Sequence, residues 1–224
     1  MKRTNEQKER CTPVYYSLQE EILSAVLHGL GTAFGIFALC YMLVQSAGAG
    51  SPVAVVASAI YGASLTVLYA ISTLSHALTH RGAKKIFRIL DHAMIFLLIA
   101  GTYTPVTLIT LQGAWGWAIF GVQWAVAALG IVLGSVSLNR FKGIVAVGYI
   151  LMGWIIIVAL YPLLRSMEPA GFIYLLGGGI FYTLGMLAYR KRAANAHFFC
   201  HLFTLIGSVL QFVAICRYVL PHNF

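Results

Sequence analysis

Long apolar stretches, each about 20 residues in length, alternate with short polar or charged connections along most of the chain. A helix of this length crosses the hydrocarbon core of a bilayer, whereas the strands of a membrane barrel are shorter and alternate in polarity. Only helices and closed barrels satisfy every backbone polar group in lipid. The pattern therefore predicts an all-α integral membrane protein, a bundle of seven transmembrane helices. Their expected ranges are 22–45, 53–78, 87–110, 115–138, 143–164, 171–189 and 196–219.

Composition strengthens this prediction. Hydrophobic residues make up 60% of the 224 residues and charged residues only 9%, and the mean hydropathy is +0.84. A soluble domain of this length would be about 25% charged. We expect one membrane domain over residues 20–224, preceded by a cytoplasmic tail over residues 1–19. The tail sequence MKRTNEQKER carries charges of both signs and does not resemble a cleaved signal peptide.

The positions of Lys and Arg predict the orientation in the membrane, because cytoplasmic connections are enriched in these residues. Thirteen of the fifteen basic residues fall in the N-terminal tail and in the connections after the second, fourth and sixth predicted spans. The other two, Arg165 and Arg217, fall on the opposite side. We therefore expect the N-terminus in the cytoplasm and the C-terminus outside, which is opposite to G-protein-coupled receptors. The formal net charge of +9 is then explained by topology and anionic lipid, not by nucleic acid.

Three histidines are expected at one depth, near the cytoplasmic end of the bundle. His197 and His201 open the seventh span in the sequence HFFCH, and residues at i and i+4 share one face of a helix. His76 lies near the inner end of the second span, one turn after Ser72. Three imidazoles that converge in a confined place match a zinc site with one open position. Asp91 begins the third span, where it could orient a ligand or act as a base for water at the metal.

These residues also have ordinary structural interpretations. An isolated HxxxH pair often arises by chance, and Ser72 taken alone is typical of a small packing residue. His28 could form a hydrogen bond between helices or line a cavity, while His80 and His92 adjoin a basic connection and are expected at the interface. The Glu20–Glu21 pair favours stabilisation of the positive end of the first helix. The shared depth of His76 and the HxxxH pair, deduced from Lys and Arg alone, favours the metal site.

Three stretches of the chain carry a resemblance to a known family. They are EEILSAVLHGLG at residues 20–31, STLSHALTH at residues 72–80 continued by LDHAMIFLLIAGTYTP at residues 90–105, and HFFCHLFTLIGS at residues 197–208. They resemble the bacterial hemolysin III family, which is related to the adiponectin and progestin receptors of eukaryotes. The likeness extends over nearly the whole chain, with the same helix count and orientation. The chain departs from the family pattern at Ser24, Leu27 and Cys200, where asparagine, threonine and tryptophan are usual.

The resemblance implies a zinc ion (Zn²⁺) held by His76, His197 and His201, with an aspartate, here Asp91, contacting the zinc-bound water and a serine, here Ser72, nearby. It also implies a multi-pass protein of the bacterial inner membrane. Related receptors and alkaline ceramidases are grouped with metal-dependent hydrolases. Our leading hypothesis is therefore a zinc-dependent hydrolase of a lipid amide or ester at the inner leaflet, with membrane lipid as its substrate or ligand.

Two alternatives come from other functional classes. The first is a non-enzymatic membrane receptor or sensor, in which zinc is structural. The second is a pore-forming cytolysin, as the name hemolysin suggests. The second is disfavoured because a secreted pore former needs a soluble form, and this chain has too little polar surface for one.

Overall fold

A computed structural model of the protein describes residues 17–190 and 195–221, and within these ranges the side chains at 137–140, 142 and 190 are not described. Several basic residues behind the predicted orientation therefore lie outside the described residues or side chains: the tail residues Lys2, Arg3, Lys8 and Arg10, the cluster Arg190, Lys191 and Arg192, and the pair Arg140 and Lys142. The predicted orientation and the boundary at residue 19 stay predictions.

The described chain is built almost entirely of helices. We label them α1 (Leu18–Gly48), α2 (Pro52–Ala77), α3 (Arg81–Pro105, extended by a π-helical segment Val106–Leu111), α4 (Gly113–Trp154, followed by a 3₁₀ segment Ile155–Ala159), α5 (Leu160–Ser166), α6 (Pro169–Arg190) and α7 (Ala196–Ala214, extended by a π-helical segment Ile215–Val219). Seven segments among the described residues are long and apolar enough to cross a membrane. The predicted seven-helix bundle is thereby confirmed.

The helix α4 contains the fourth of these seven segments and the first half of the fifth, which continues to Ser166. Its amide Gln123 Nε2 donates to the carbonyl of Met152 at 2.8 Å. In a straight helix these residues would stand about 43 Å apart, because each residue advances about 1.5 Å. The backbone must therefore reverse between them, so that Gly113–Val136 forms the fourth span and Gly143–Ser166 the fifth. This division agrees with the predicted fourth and fifth spans.

The spans form a ring in chain order. Each span contacts the next one along the chain, and α1 also packs against α7, which closes the ring. Tyrosine hydroxyls on α2 and α6 reach one serine of α7: Tyr69 and Tyr182 lie 2.7 and 2.9 Å from Ser208 Oγ. The closure brings residues near the end of the second span next to residues at the start of the seventh.

The polarity of the bundle is inverted relative to that of a soluble protein. Its outward face is apolar and exposed, as at Leu30, Val136 and Ile173. Polar side chains lie inside, and Gln123 and Ser208 are fully buried. A continuous apolar exterior of this extent is suited to lipid and not to water. The protein is therefore a multi-pass membrane protein.

The predicted boundary that differs most from the structure is the start of the third span. The cluster Arg81–Arg88 was expected in a connection, with the third span starting at residue 87, but it forms the first two turns of α3. The helix begins earlier because His80 caps it: the ring Nδ1 accepts from the backbone N–H of Ala83 at 3.3 Å. Long basic side chains can extend from such turns toward the membrane surface, so charge did not mark the end of the helix.

Candidate metal centre

Three histidines meet where α2 ends and α7 begins. His76 occupies the last turn of α2, and its side chain is buried. His197 and His201 lie on successive turns of α7, also buried, on the face that turns toward α2. The helix α7 starts after Asn195, whose φ of 61° lies in the left-handed region that asparagine tolerates better than most residues. We call these three residues the histidine triad.

The ring nitrogens of the triad point at one another. The distance from His197 Nε2 to His76 Nε2 is 3.3 Å, and that to His201 Nε2 is 2.8 Å. One nitrogen from each ring lies within 4.8 Å of the others. Nitrogens about 2.0–2.1 Å from a tetrahedral zinc ion would stand about 3.3–3.4 Å apart. The donor set and its spacing therefore fit a small ion with three imidazole ligands, and the triad could hold a metal ion.

A carboxylate from α1 contacts the triad from outside. Glu21 Oε2 lies 2.7 Å from His76 Nδ1. The other oxygen of Glu21 lies 2.9 Å from Lys84 Nζ and 3.9 Å from Arg88 Nη2, both on α3. The carboxylate that reaches a triad ring is thus Glu21, where the sequence had favoured a helix-start charge. Its side chain is mostly buried, with 12% exposed, so these contacts are only partly screened by water.

The neighbouring acid, Glu20, connects α1 to α7. It completes a capping box with Ser17, whose hydroxyl accepts from the Glu20 backbone N–H while the Glu20 carboxylate accepts from the Ser17 backbone N–H. Its other oxygen accepts from the backbone N–H of Asn195 at 3.0 Å. The expected role of the pair at the start of α1 is therefore present for Glu20. The structure adds a contact to the turn that precedes His197.

Three buried polar side chains on α1 and α2 have no hydrogen-bond partner among the described residues. They are Ser24, His28 and Ser72, all buried. The ring of His28 lies against that of His201, with centroids 4.1 Å apart. Buried polar groups are rarely left without partners. Unsatisfied groups beside three imidazoles indicate a place for water or for a polar group of a ligand.

A cavity of about 180 Å³ opens beside the triad on the side of α3, the fifth span and α6. Asp91 and His92 line it from α3, opposite His197 and His201. Its walls are otherwise mostly apolar. A second cavity of the same volume continues from it between the fifth span and α6, and the two share Tyr103 and Trp154 in their walls. The candidate centre therefore faces a mostly apolar cavity with one carboxylate, that of Asp91, in its wall.

The structure brings some of the predicted site residues together and keeps others apart. The histidine triad converges, and Asp91 faces it across the cavity. Ser72 lies one turn before His76 on the same buried face of α2 but does not line the cavity. The histidines outside the triad separate: His80 caps α3, while His92 bonds to Tyr189 at 3.1 Å.

The residue that sequence reasoning did not assign to the site is Glu21. A signal for it existed in the spacing, because Glu21, Ser24 and His28 recur at three and four residues. On an otherwise apolar helix that spacing makes one polar stripe facing inward. The partner of the stripe could not be found from the spacing alone.

The fold and the site together define a class: a multi-pass membrane protein with a buried histidine cluster able to hold a metal ion. Residues 16–212 match the Haemolysin-III related family, and the chain belongs to that family. It is 41% identical over 214 residues to Hemolysin-3 of Bacillus cereus, covering 95% of this chain and 98% of the relative. It is 38% identical over 210 residues to the Hemolysin-3 homolog of Bacillus subtilis (strain 168), covering 93% and 99%. No solved structure matches the chain. The family resemblance predicted from the three sequence stretches is confirmed.

Proposed function

We propose that this protein is a zinc-dependent hydrolase that cleaves an amide or ester bond of a membrane lipid. The observation that carries the proposal is the convergence of three imidazole nitrogens beside an apolar cavity lined by one carboxylate. Three protein ligands with an open fourth position are the arrangement of catalytic zinc sites, whereas structural sites are usually closed by four. Imidazole donors favour zinc among the abundant metals.

The residues divide the work of such a reaction. The triad would hold the ion, which when bound would polarise the scissile carbonyl and lower the pKa of water to about 7. Asp91 would accept the proton of the attacking water and deliver it to the leaving nitrogen or oxygen. Ser72, buried without a hydrogen-bond partner on the His76 face of α2 and outside the cavity wall, would donate a hydrogen bond to the attacking water or to the oxyanion that forms beside the triad.

The cavity suggests the substrate class. A mostly apolar chamber with few polar groups is suited to a hydrocarbon tail, and its polar groups would then meet the lipid where the tail joins the headgroup. The basic residues on the first turns of α3 lie at the same end as the triad, next to Glu21. Under the positive-inside rule this end faces the cytoplasm, so we place the reaction at the inner leaflet of the bacterial inner membrane.

The decisive experiment separates metal binding from turnover. Zinc is measured in detergent-purified wild-type protein and in Asp91→Asn, and both are then incubated with a panel of lipid amides and esters. We expect about one zinc per chain in both proteins, with hydrolysis only by the wild type, because asparagine cannot accept the proton. Wild-type protein that holds zinc but releases no fatty acid from any lipid would contradict the hydrolase.

A receptor or sensor with structural zinc is the second candidate. It is favoured by the position of the triad, because its histidines come from α2 and α7 and a metal ion would join the second span to the last. Metal removal would then lower thermal stability, by about 2.7 kcal/mol at a free metal concentration 100 times the Kd, with no lipid turned over. The name hemolysin that the relatives carry is the weakest guide to the function of this chain, because a bundle with an apolar exterior is suited to residence in the membrane.

A further inference from the structure

We propose that Glu21 is a positioning residue of the metal centre, holding His76 in the tautomer and ring orientation that presents Nε2 to the ion. The inference rests on the metal of the proposed function and assigns a role to a side chain on a helix that carries none of the ligands. Its basis is the 2.7 Å contact between Glu21 Oε2 and His76 Nδ1.

The contact selects one tautomer of the ring. An ionised carboxylate only accepts hydrogen bonds, so His76 Nδ1 must carry the proton that lies between them. In the neutral ring, Nε2 then has its lone pair free of hydrogen, and Nε2 is the nitrogen that faces His197 at 3.3 Å. A carboxylate behind a ligating histidine both fixes the ring and makes it a better donor.

The carboxylate is itself held in place. Lys84 and Arg88 lie 2.9 and 3.9 Å from its second oxygen, so both oxygens of Glu21 have partners from other helices. Glu21 thus joins α1 to α3 while it orients a residue of α2.

The adjacent residue supplies a matched control. Glu20 and Glu21 have the same charge and both lie in the first turn of α1, but among the described residues Glu20 contacts Ser17 and Asn195 and no imidazole. An effect through the helix dipole or through net charge would be the same for both. An effect through His76 would be confined to Glu21.

The test is a metal titration of purified protein that has been stripped with a chelator. Zinc affinity is measured by competition with a chelator of known affinity, and cobalt(II) absorption reports the coordination geometry. We expect Glu21→Ala to weaken zinc binding about 10–100-fold and to alter the cobalt spectrum, as is usual for lost partners of ligating histidines. Glu21→Gln should lose less, because the amide oxygen can still accept, and Glu20→Gln should match the wild type.

The outcomes separate this inference from the proposed function. Wild-type zinc affinity and cobalt spectrum in Glu21→Ala would overturn the positioning role and leave the hydrolase standing. Wild-type protein that binds no metal would overturn both. Should Glu21→Ala fail to fold without metal, Glu21→Gln, which keeps the shape of the side chain, decides the matter against Glu20→Gln. Equal affinity in these two variants would then overturn the inference.

Discussion

The two sides of the bundle around the histidine triad are built differently. The first, which we call the packed wall, consists of α1, α2 and α7. A Cβ atom added to Gly62 of α2 would lie 2.7 Å from the Leu39 backbone of α1, which is closer than real side chains approach. The second, which we call the open wall, consists of α3, the fifth span and α6. There a Cβ added to Gly179 would meet no atom within 4 Å, because the cavities lie beside it.

We interpret the packed wall as the side that keeps the histidine triad in place and the open wall as the side that admits a bound molecule. All three ligands of the triad come from the packed wall, where small residues let the helices approach closely and leave the rings little freedom. Asp91 comes from the open wall and lines the cavity, which has room for a bound molecule. The proposed hydrolase would need both properties, since its metal ligands would have to keep their geometry while a substrate enters and leaves.

The largest expected effect comes from comparing the loss of one imidazole from the packed wall with the loss of one imidazole from the open wall. His201→Ala removes a ligand from the packed wall, so we expect it to abolish stoichiometric zinc binding and lipid hydrolysis. His92→Ala removes an imidazole from the open wall, where the ring bonds to Tyr189 and to the Arg88 carbonyl. It should retain about one zinc per chain. Elemental analysis of both purified proteins checks this, and zinc loss in His92→Ala would place the metal elsewhere in the cavity.

An intermediate effect is expected from adding a single methyl group to each wall. Gly62→Ala forces Leu39 to move and should lower the free energy of unfolding by about 1–3 kcal/mol. Gly179→Ala meets open space and should leave stability unchanged or slightly raised. Denaturation of both variants in the same detergent measures the difference. Equal losses of unfolding free energy in the two variants would show that the cavities beside Gly179 close when no ligand is bound.

The smallest expected effect concerns a hydrogen bond between the fifth span and α6, two of the three elements of the open wall. Trp154 Nε1 donates to Thr183 Oγ1 at 3.1 Å, from the fifth span to α6. Hydrogen bonds between membrane helices contribute about 0.6 kcal/mol on average, so Trp154→Phe should cost about that much. A markedly larger loss in a denaturation series would mean that this bond, and not packing, joins the fifth span to α6.

The global fold could be predicted from the sequence because the bilayer imposes simple rules. Span length follows from bilayer thickness, so two separate spans were expected within residues 113–166. The structure assigns helical backbone without a break across the connection between them, yet the chain reverses there. The start of α3 could not be predicted from charge, since the ring of His80 caps a turn whose basic side chains remain near the surface.

The candidate site was predictable only in part. The HxxxH spacing places His197 and His201 on one face, and depth alone brings His76 to them. The contact from Glu21 could not be found in this way, because it depends on how far α1 is shifted along α2. That shift is set by close contacts such as Gly31 against Tyr69, which exist only once the helices are packed.

The meeting of α2 and α7 inside the ring that α1 and α7 close also determines when the centre can exist. His76 and His197 are separated by 121 positions in the chain, with four spans between them. A ribosome that has delivered six spans to the membrane has therefore produced one ligand of three. The triad is completed only when the last helix is inserted, so a metal ion held by all three histidines could be acquired only at the end of assembly.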